Sequence, residues 1–227
     1  MAGAQTRMVL AVTDSTGEVL GLYRMRDATV FSIDVAVAKA RNTSYYASDH
    51  LVQADQVDAN NDSIPDLLSQ VAFTNRTFRF LAAPRYPTGS SNAPGDFSIL
   101  SMPGINPLTA ENLVANQPLP AAIYASNTAT VGSFDSFNPS RNFRDPQNLM
   151  NQNGIVFFPG STPLYKGALG SLLVGGFGVS GDGVDQDDVV TVAGQTGFAA
   201  PDILRADQFF VDGVRLPFQK FNRNPTL

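Results

Sequence analysis

The chain has 227 residues, 43% of them hydrophobic and only 15% charged, with a formal net charge of −5 at pH 7. That length suits one large domain or two small ones, and the apolar share is enough for a real core. The acidic balance, with three scattered lysines (Lys39, Lys166 and Lys220), weighs against nucleic acid, whose phosphates need clustered basic side chains.

Met8–Asp14 reads as a strand rich in branched apolar residues. Ser15-Thr16-Gly17-Glu18 carries hairpin-turn chemistry, with Gly17 suited to a positive φ. Val19–Met25 is the return strand, antiparallel because the connection is so short. Phe31–Ala47 predicts a helix, with Ser32 as N-cap and Asp34 in the first turn, where the helix dipole favours an anion. Ile33, Ala36, Val37, Ala40 and Ser44 recur at helical spacing. That face is apolar and small enough to lie close on a sheet. Lys39 and Arg41 are expected on the opposite side.

From Ser48 to Gln152, Pro, Asn, Gly and Ser punctuate the chain every few residues. Only short apolar fragments interrupt them: Phe78–Ala82, Phe97–Met102 and Leu119–Tyr124. A hundred-odd irregular residues are unusual inside a compact domain. Aromatics run through the stretch, among them Phe73, Phe78, Phe80 and Tyr124, whereas a disordered linker would be poor in them. The insert is therefore expected to pack, on its own core or on a neighbouring subunit.

Gly154–Pro159 is a further strand candidate, and Gly160–Gly170, with Pro163, a turn region. Ser171–Val179 reads as the buried central strand, in an apolar run broken by glycines. It leads into Ser180–Asp188, where Asp182, Asp185, Asp187 and Asp188 gather. Val184–Gln195 predicts a helix, ended by Gly194 and Gly197. The tail Asp207–Phe221 is expected to form a hairpin turning at Asp212-Gly213 and to dock on the domain or on a partner.

No apolar run reaches the roughly 20 residues of a membrane-spanning helix. The N-terminus lacks the charged-then-apolar pattern of a signal peptide. Cysteine is absent. Disulfides, thiolate metal sites and a cysteine nucleophile are thereby excluded. The lack is compatible with either redox compartment, a periplasmic or secreted location being slightly favoured.

Two motifs, in order, carry a family resemblance. The first is VTDSTGEVLGLYRMRDATVFSIDVAVAKARNTSYYAS: Asp14 and Gly17 at a strand end and turn, Arg24-Met25-Arg26-Asp27-Ala28 after the second strand, and Lys39-Ala40-Arg41 in the helix. The second is GGFGVSGDGVDQDDVVTVAG, a strand ending in Gly-Val-Ser-Gly before an acidic helix start. Together they resemble the GlcG/HbpS-type haem-binding or haem-degrading family, over about Met8–Ser48 and Gly154–Gly197. The resemblance implies an α/β fold (an α+β sandwich): a mainly antiparallel sheet of about five strands with flanking helices. A single domain is expected, with its core in 8–48 and 154–197, a loop-rich insert at 49–153 and a tail at 198–227. It also implies a homo-oligomer. The chain departs from the family in three ways: only seven residues precede the first strand where the family has a helix, the insert replaces a short connection, and there is one histidine.

The resemblance makes haem, or another tetrapyrrole, the expected cofactor. His50, as the only imidazole, is the only strong nitrogen ligand for haem iron. Tyr45, Tyr46 and Met25 are alternative ligands. Lys39 or Arg41 would meet the propionates, and Arg24 beside Met25 completes the candidate set, although Arg24 also has a plain reading as an ion-pair partner of Asp27. The Ser180–Asp188 turn has two readings: glycines and carboxylates around a ligand or cation, or aspartates capping a helix, which explains the same residue types. A second candidate metal site is Asp58, Asn60, Asp62 and Asp66, whose alternating oxygens resemble a calcium loop. Ser63 stands there in place of the usual glycine, and Ser69 in place of the closing glutamate. Pro65 also intrudes, and the plain reading is an exposed, turn-forming loop.

The leading functional expectation is thus a haem- or tetrapyrrole-binding module. Its rival is a structural or assembly protein on the same fold, whose insert and tail mediate subunit contacts. For an enzyme no residue set emerges: a Ser–His–Asp triad has only His50 to draw on, and no Gly-x-Ser-x-Gly elbow is present.

Overall fold

The computed structural model describes residues 6–51, 70–82, 149–151, 153, 156, 158–170, 172–211 and 213–220. Four strands form one antiparallel sheet: β1 (Met8–Asp14), β2 (Val19–Arg24), β3 (Ser161–Lys166) and β4 (Leu172–Gly181), in the order β2-β1-β4-β3. Three helices flank it: α1 (Phe31–Ala47), α2 (Asn75–Ala82) and α3 (Val184–Gly194). A small hairpin, β5 (Phe210–Val211) and β6 (Val214–Arg215), completes the described strands. The expected α/β fold with a mainly antiparallel sheet is what forms. None of the described helices is long and apolar enough to cross a membrane.

The β1–β2 hairpin is set locally. Asp14 Oδ1 accepts hydrogen bonds from the Thr16 amide and hydroxyl, both at 2.8 Å, and from the Glu18 amide at 3.0 Å. Gly17 then takes a φ of 90°. Along β1 the side chains alternate. Val9 and Ala11 pack with Ala36 and Ala40 of α1, while Met8, Leu10 and Val12 join Phe177 and Val179 on the other face.

The glycine-rich run now has a physical reason. A Cβ on Gly176 would lie 2.0 Å from the Ala40 carbonyl, and one on Gly178 would lie 2.1 Å from that of Ala36. The two glycines share one face of β4, so α1 rests directly on its backbone. Their neighbours Phe177 and Val179 point to the opposite face, where α3 lies, with Val190 in the same cluster and Gly194 against the Phe177 ring. The sheet is therefore sandwiched between α1 and α3.

Two expectations need correction. Ser161–Lys166, expected as a turn, is strand β3. Pro163 fits there because β3 is a sheet edge, where a missing N–H costs no ladder bond. Gly154–Pro159, expected as a strand, contributes no strand residue among those described. Val156 instead packs on Val35 and Ala38, on the side of α1 turned away from the sheet. α1 is thus covered on several sides, and its buried residues include Asn42, Thr43 and Ser44.

The described part of the insert packs on its own chain. Val71, Ala72, Phe73 and Phe78 form a cluster with Tyr45 and Tyr46 at the end of α1, and Leu216 and Phe218 of the tail close it. The rest of the insert, apart from residues 49–51, 149–151 and 153, lies outside the described residues. The tail hairpin turns at Gly213 with a φ of 72°, as its sequence predicts.

Candidate functional site

The acidic stretch at the head of α3 is the most charged locus of the described core. Its four aspartates do not act as side-chain caps; the N-cap is Gly183 and no side-chain cap bond forms. Each aspartate has another partner. Asp182 Oδ2 accepts from the Arg7 amide at 2.7 Å. Asp185 pairs with Lys220 and, at 3.3 Å, with Arg76. Asp188 Oδ2 accepts from Arg76 Nε at 2.6 Å and from the Lys220 amide at 3.0 Å. Asp187 pairs with Lys39 at 3.0 Å.

Lys39 corrects the sequence reading most sharply. The helical projection places it on the outer side of α1, ready for a ligand carboxylate. It is fully buried, at 0% exposure. Its Nζ donates to Val179 O at 2.6 Å, Pro159 O at 2.7 Å and Asp187 Oδ2 at 3.0 Å. Three acceptors match the three protons of an ammonium, so no donor is left for a propionate. Burial pushes the amine down from its ordinary pKa and the Asp187 carboxyl up, and each charge offsets part of that shift in the other. The pair ties the helix on one face of the sheet to the helix on the other. Asp185, exposed, is held below the usual carboxylate range, first by its hydrogen bond from Lys220.

Nothing local in the sequence points to Arg76 and Lys220. Arg76 arrives from the insert and Lys220 from the tail, and no spacing links either to α3. The one available signal was arithmetic: four clustered aspartates in a chain of low charge need cations from somewhere. Two partly satisfied carboxylates remain. Asp187 Oδ1 and Asp188 Oδ1 are buried without a hydrogen-bond partner among the described residues. No group of three or more His, Cys, Asp or Glu positioned to hold a metal occurs among the described residues. The arrangement is that of a charge-compensated structural junction.

The other sequence candidates do not converge. Arg24 donates from Nε and Nη2 to the Ala28 carbonyl, not to Asp27, which instead lies 4.0 Å from exposed Arg26. Met25 is partly buried, packed into the clusters on both faces of the sheet. Arg41 is partly buried, donating to Gly17 O at 3.0 Å and Asn153 Oδ1 at 2.5 Å. Tyr45 and Tyr46 are buried in the aromatic cluster. His50 stands apart, past the C-terminal end of α1. Its side chain is 58% exposed, with Nε2 3.8 Å from Asp49 Oδ1. Arg24 sits beside the start of α1, and a 17-residue helix is about 25 Å long, so Arg24 and His50 do not share one small site. The candidate calcium loop Asp58–Asp66 lies outside the described residues.

The fold is an antiparallel sheet held between helices. Residues 97–196 match the model of the family described as haem degrading protein HbpS-like. The family resemblance carried by the second sequence motif is thus shown over a stretch that includes β3, β4 and α3: the chain is similar to the HbpS-like proteins there. The first motif, Met8–Ser48, lies outside the matched residues. Among solved structures, protein ORFY of Klebsiella pneumoniae is 18% identical, covering 86% of this chain and 76% of that one, with a TM-score of 0.38. A structure described as a PduOC haem complex is 14% identical, covering 86% and 80%, with a TM-score of 0.40. None of the curated proteins compared matches the chain.

Proposed function

We propose that this chain is a haem- or tetrapyrrole-binding module. The observation that carries the reading is the match of residues 97–196 to a haem-degrading family. Of the ligand set expected from sequence, Lys39 does not fit, being fully buried with its three protons donated, and Met25 packs into the core clusters. His50 fits. Its imidazole is exposed and lies outside the core clusters, open to a ligand. His50 would hold the iron from the surface near the C-terminal end of α1. The iron and its macrocycle would supply the redox and oxygen chemistry; the protein's part is to bind and orient.

The test is a titration of the purified chain with haemin, followed in the Soret band. A saturable Soret shift is expected. No change at tens of micromolar would remove the reading.

The assembly reading, with the insert and tail as arms reaching other subunits, draws no support from the described parts. Residues 70–82 and 213–220 are engaged with their own core.

A further inference from the structure

A tetrapyrrole is a broad apolar disc, and sites for such ligands bury most of it. His50 on its own offers one exposed imidazole. The apolar ground beside it is already packed. Ala47 and Leu51, on either side of His50 in the chain, belong to the aromatic cluster at the end of α1 or pack against it. Tyr46, Phe73 and Phe78 form the middle of that cluster, with ring centroids 4.6 to 5.5 Å apart. Part of its closure comes from neither the sheet nor α1. Leu216 and Phe218 of the tail supply it, at 1% and 5% exposure.

The tail is attached as a strap. Gly213, with a φ of 72° and open space where a Cβ would stand, turns the chain into it. The hairpin at that turn has two residues in each strand, too few to be stable alone. Leu216 N donates to Phe209 O at 3.0 Å. Beyond Leu216 the strap's backbone is held by side chains. Pro217 O accepts from Thr77 Oγ1 at 2.7 Å, Phe218 O accepts from Thr74 Oγ1, and Lys220 N donates to Asp188 Oδ2 at 3.0 Å. Arg205 lies 5.0 Å from the centre of the Phe218 ring. Gln219 Nε2 reaches Ser161 O at the start of β3, at 3.4 Å, yet the strap adds no strand to the sheet. Its far end is a charge latch. Lys220 Nζ pairs with Asp185, whose side chain is half exposed, and Arg76 shares both Asp185 and Asp188. A segment held by two apolar plugs, two hydroxyls and a solvent-facing ion pair opens at lower cost than the sheet beneath it.

We propose that residues 213–220 are an autoinhibitory strap: Leu216 and Phe218 fill the apolar seat that a tetrapyrrole ligated by His50 takes, and the hold of Asp185 and Asp188 on Lys220 sets how often that seat is open. The strap rests on the haem-binding reading. Only the open fraction binds, so the apparent dissociation constant is the intrinsic one divided by that fraction. Loosening the latch therefore tightens binding, the reverse of what loss of a ligand contact does.

The test compares haemin binding by the unmodified chain and by Lys220→Glu, with amide hydrogen exchange alongside. The Lys220 side chain is partly exposed, and its reversal sets a like charge against Asp185. Lys220→Glu is expected to bind haemin about fivefold more tightly in a Soret titration. The amides of Leu216 and Lys220 should exchange faster in this variant, while that of Val179 inside the sheet stays protected. Saturating haemin should also speed exchange at Leu216 and Lys220 in the unmodified chain, whereas a ligand that only added contacts would slow it. If haemin binds but leaves those two amides as protected as before, or if Lys220→Glu binds no more tightly, the strap is overturned and the haem-binding reading stands. If neither protein binds haemin, that reading fails and the strap falls with it.

Discussion

Replacing Lys39 by methionine keeps the length of the side chain and removes only the ammonium. Three acceptors then lose their donor: Asp187 Oδ2, Pro159 O and Val179 O. Asp187 becomes a buried carboxylate without a counter-ion, and breaking a buried pair in this way costs about 3–5 kcal/mol. The two carbonyls add to the loss, although their terms do not sum simply with the charge term. Lys39→Met is therefore expected to cost at least about 3 kcal/mol, a large share of the roughly 5–15 kcal/mol that holds an ordinary domain folded. The assay is urea unfolding followed by circular dichroism. Asp187→Asn in the same background removes the stranded charge, so the double variant should recover about 2 kcal/mol or more relative to additivity. The pH dependence has a definite sign. Burial already raises Asp187 above the ordinary value of 3.8 in the folded state. A carboxyl raised on folding adds stability below its unfolded pKa and loses it as pH rises through the folded one. With Lys39 gone that rise is larger, so the deficit of Lys39→Met should be greatest at neutral pH and shrink toward pH 4. A cost under about 1 kcal/mol, or strict additivity of the two substitutions, would refute the ion pair as a structural tie.

Gly178→Ala would drive a methyl group to 2.1 Å from the Ala36 carbonyl, and α1 must shift to admit it. Overpacking of this kind costs about 1–3 kcal/mol or more, readable as a lowered urea midpoint. At Asp14, burial alone would raise the carboxyl, but hydrogen bonds from the Thr16 hydroxyl and the Thr16, Glu18 and Gly17 amides outweigh it and hold it below 3.8. A carboxyl depressed on folding contributes stability above its unfolded pKa and loses it as pH falls through the folded one. Asp14→Ala should therefore cost about 1 kcal/mol at pH 7 and converge with the unmodified protein in acid below pH 3.8.

Much of the scaffold was legible because its signals are local. β1 and α1 form over the residues that their apolar patterns mark, and the β1–β2 turn follows from Asp14 and Gly17. The tail hairpin turns at Gly213 for the same reason. What was not legible depends on partners distant in sequence. Lys39 looks solvated in a helical projection, since nothing local says that Pro159 and Val179 will offer carbonyls behind the helix. Pro163 argues against a strand until the strand is known to be an edge. The aspartates of Ser180–Asp188 read as caps, because Arg76 and Lys220 arrive from the insert and the tail. The glycines of β4 read as a ligand cradle or as a close helix contact with equal ease, and only the position of Ala36 and Ala40 decides for the contact. Of the candidate iron ligands, His50 keeps an exposed side chain.

The most direct test of the functional account is a pair of haemin titrations, one on the unmodified chain and one on His50→Ala. His50 lies in no core cluster, so the variant should fold normally and its spectrum should report on ligation alone. The account predicts a saturable Soret shift at about one haemin per chain and its loss in His50→Ala. Identical spectra for the two proteins would clear His50 of iron ligation, and no shift in either would contradict the haem-binding reading itself.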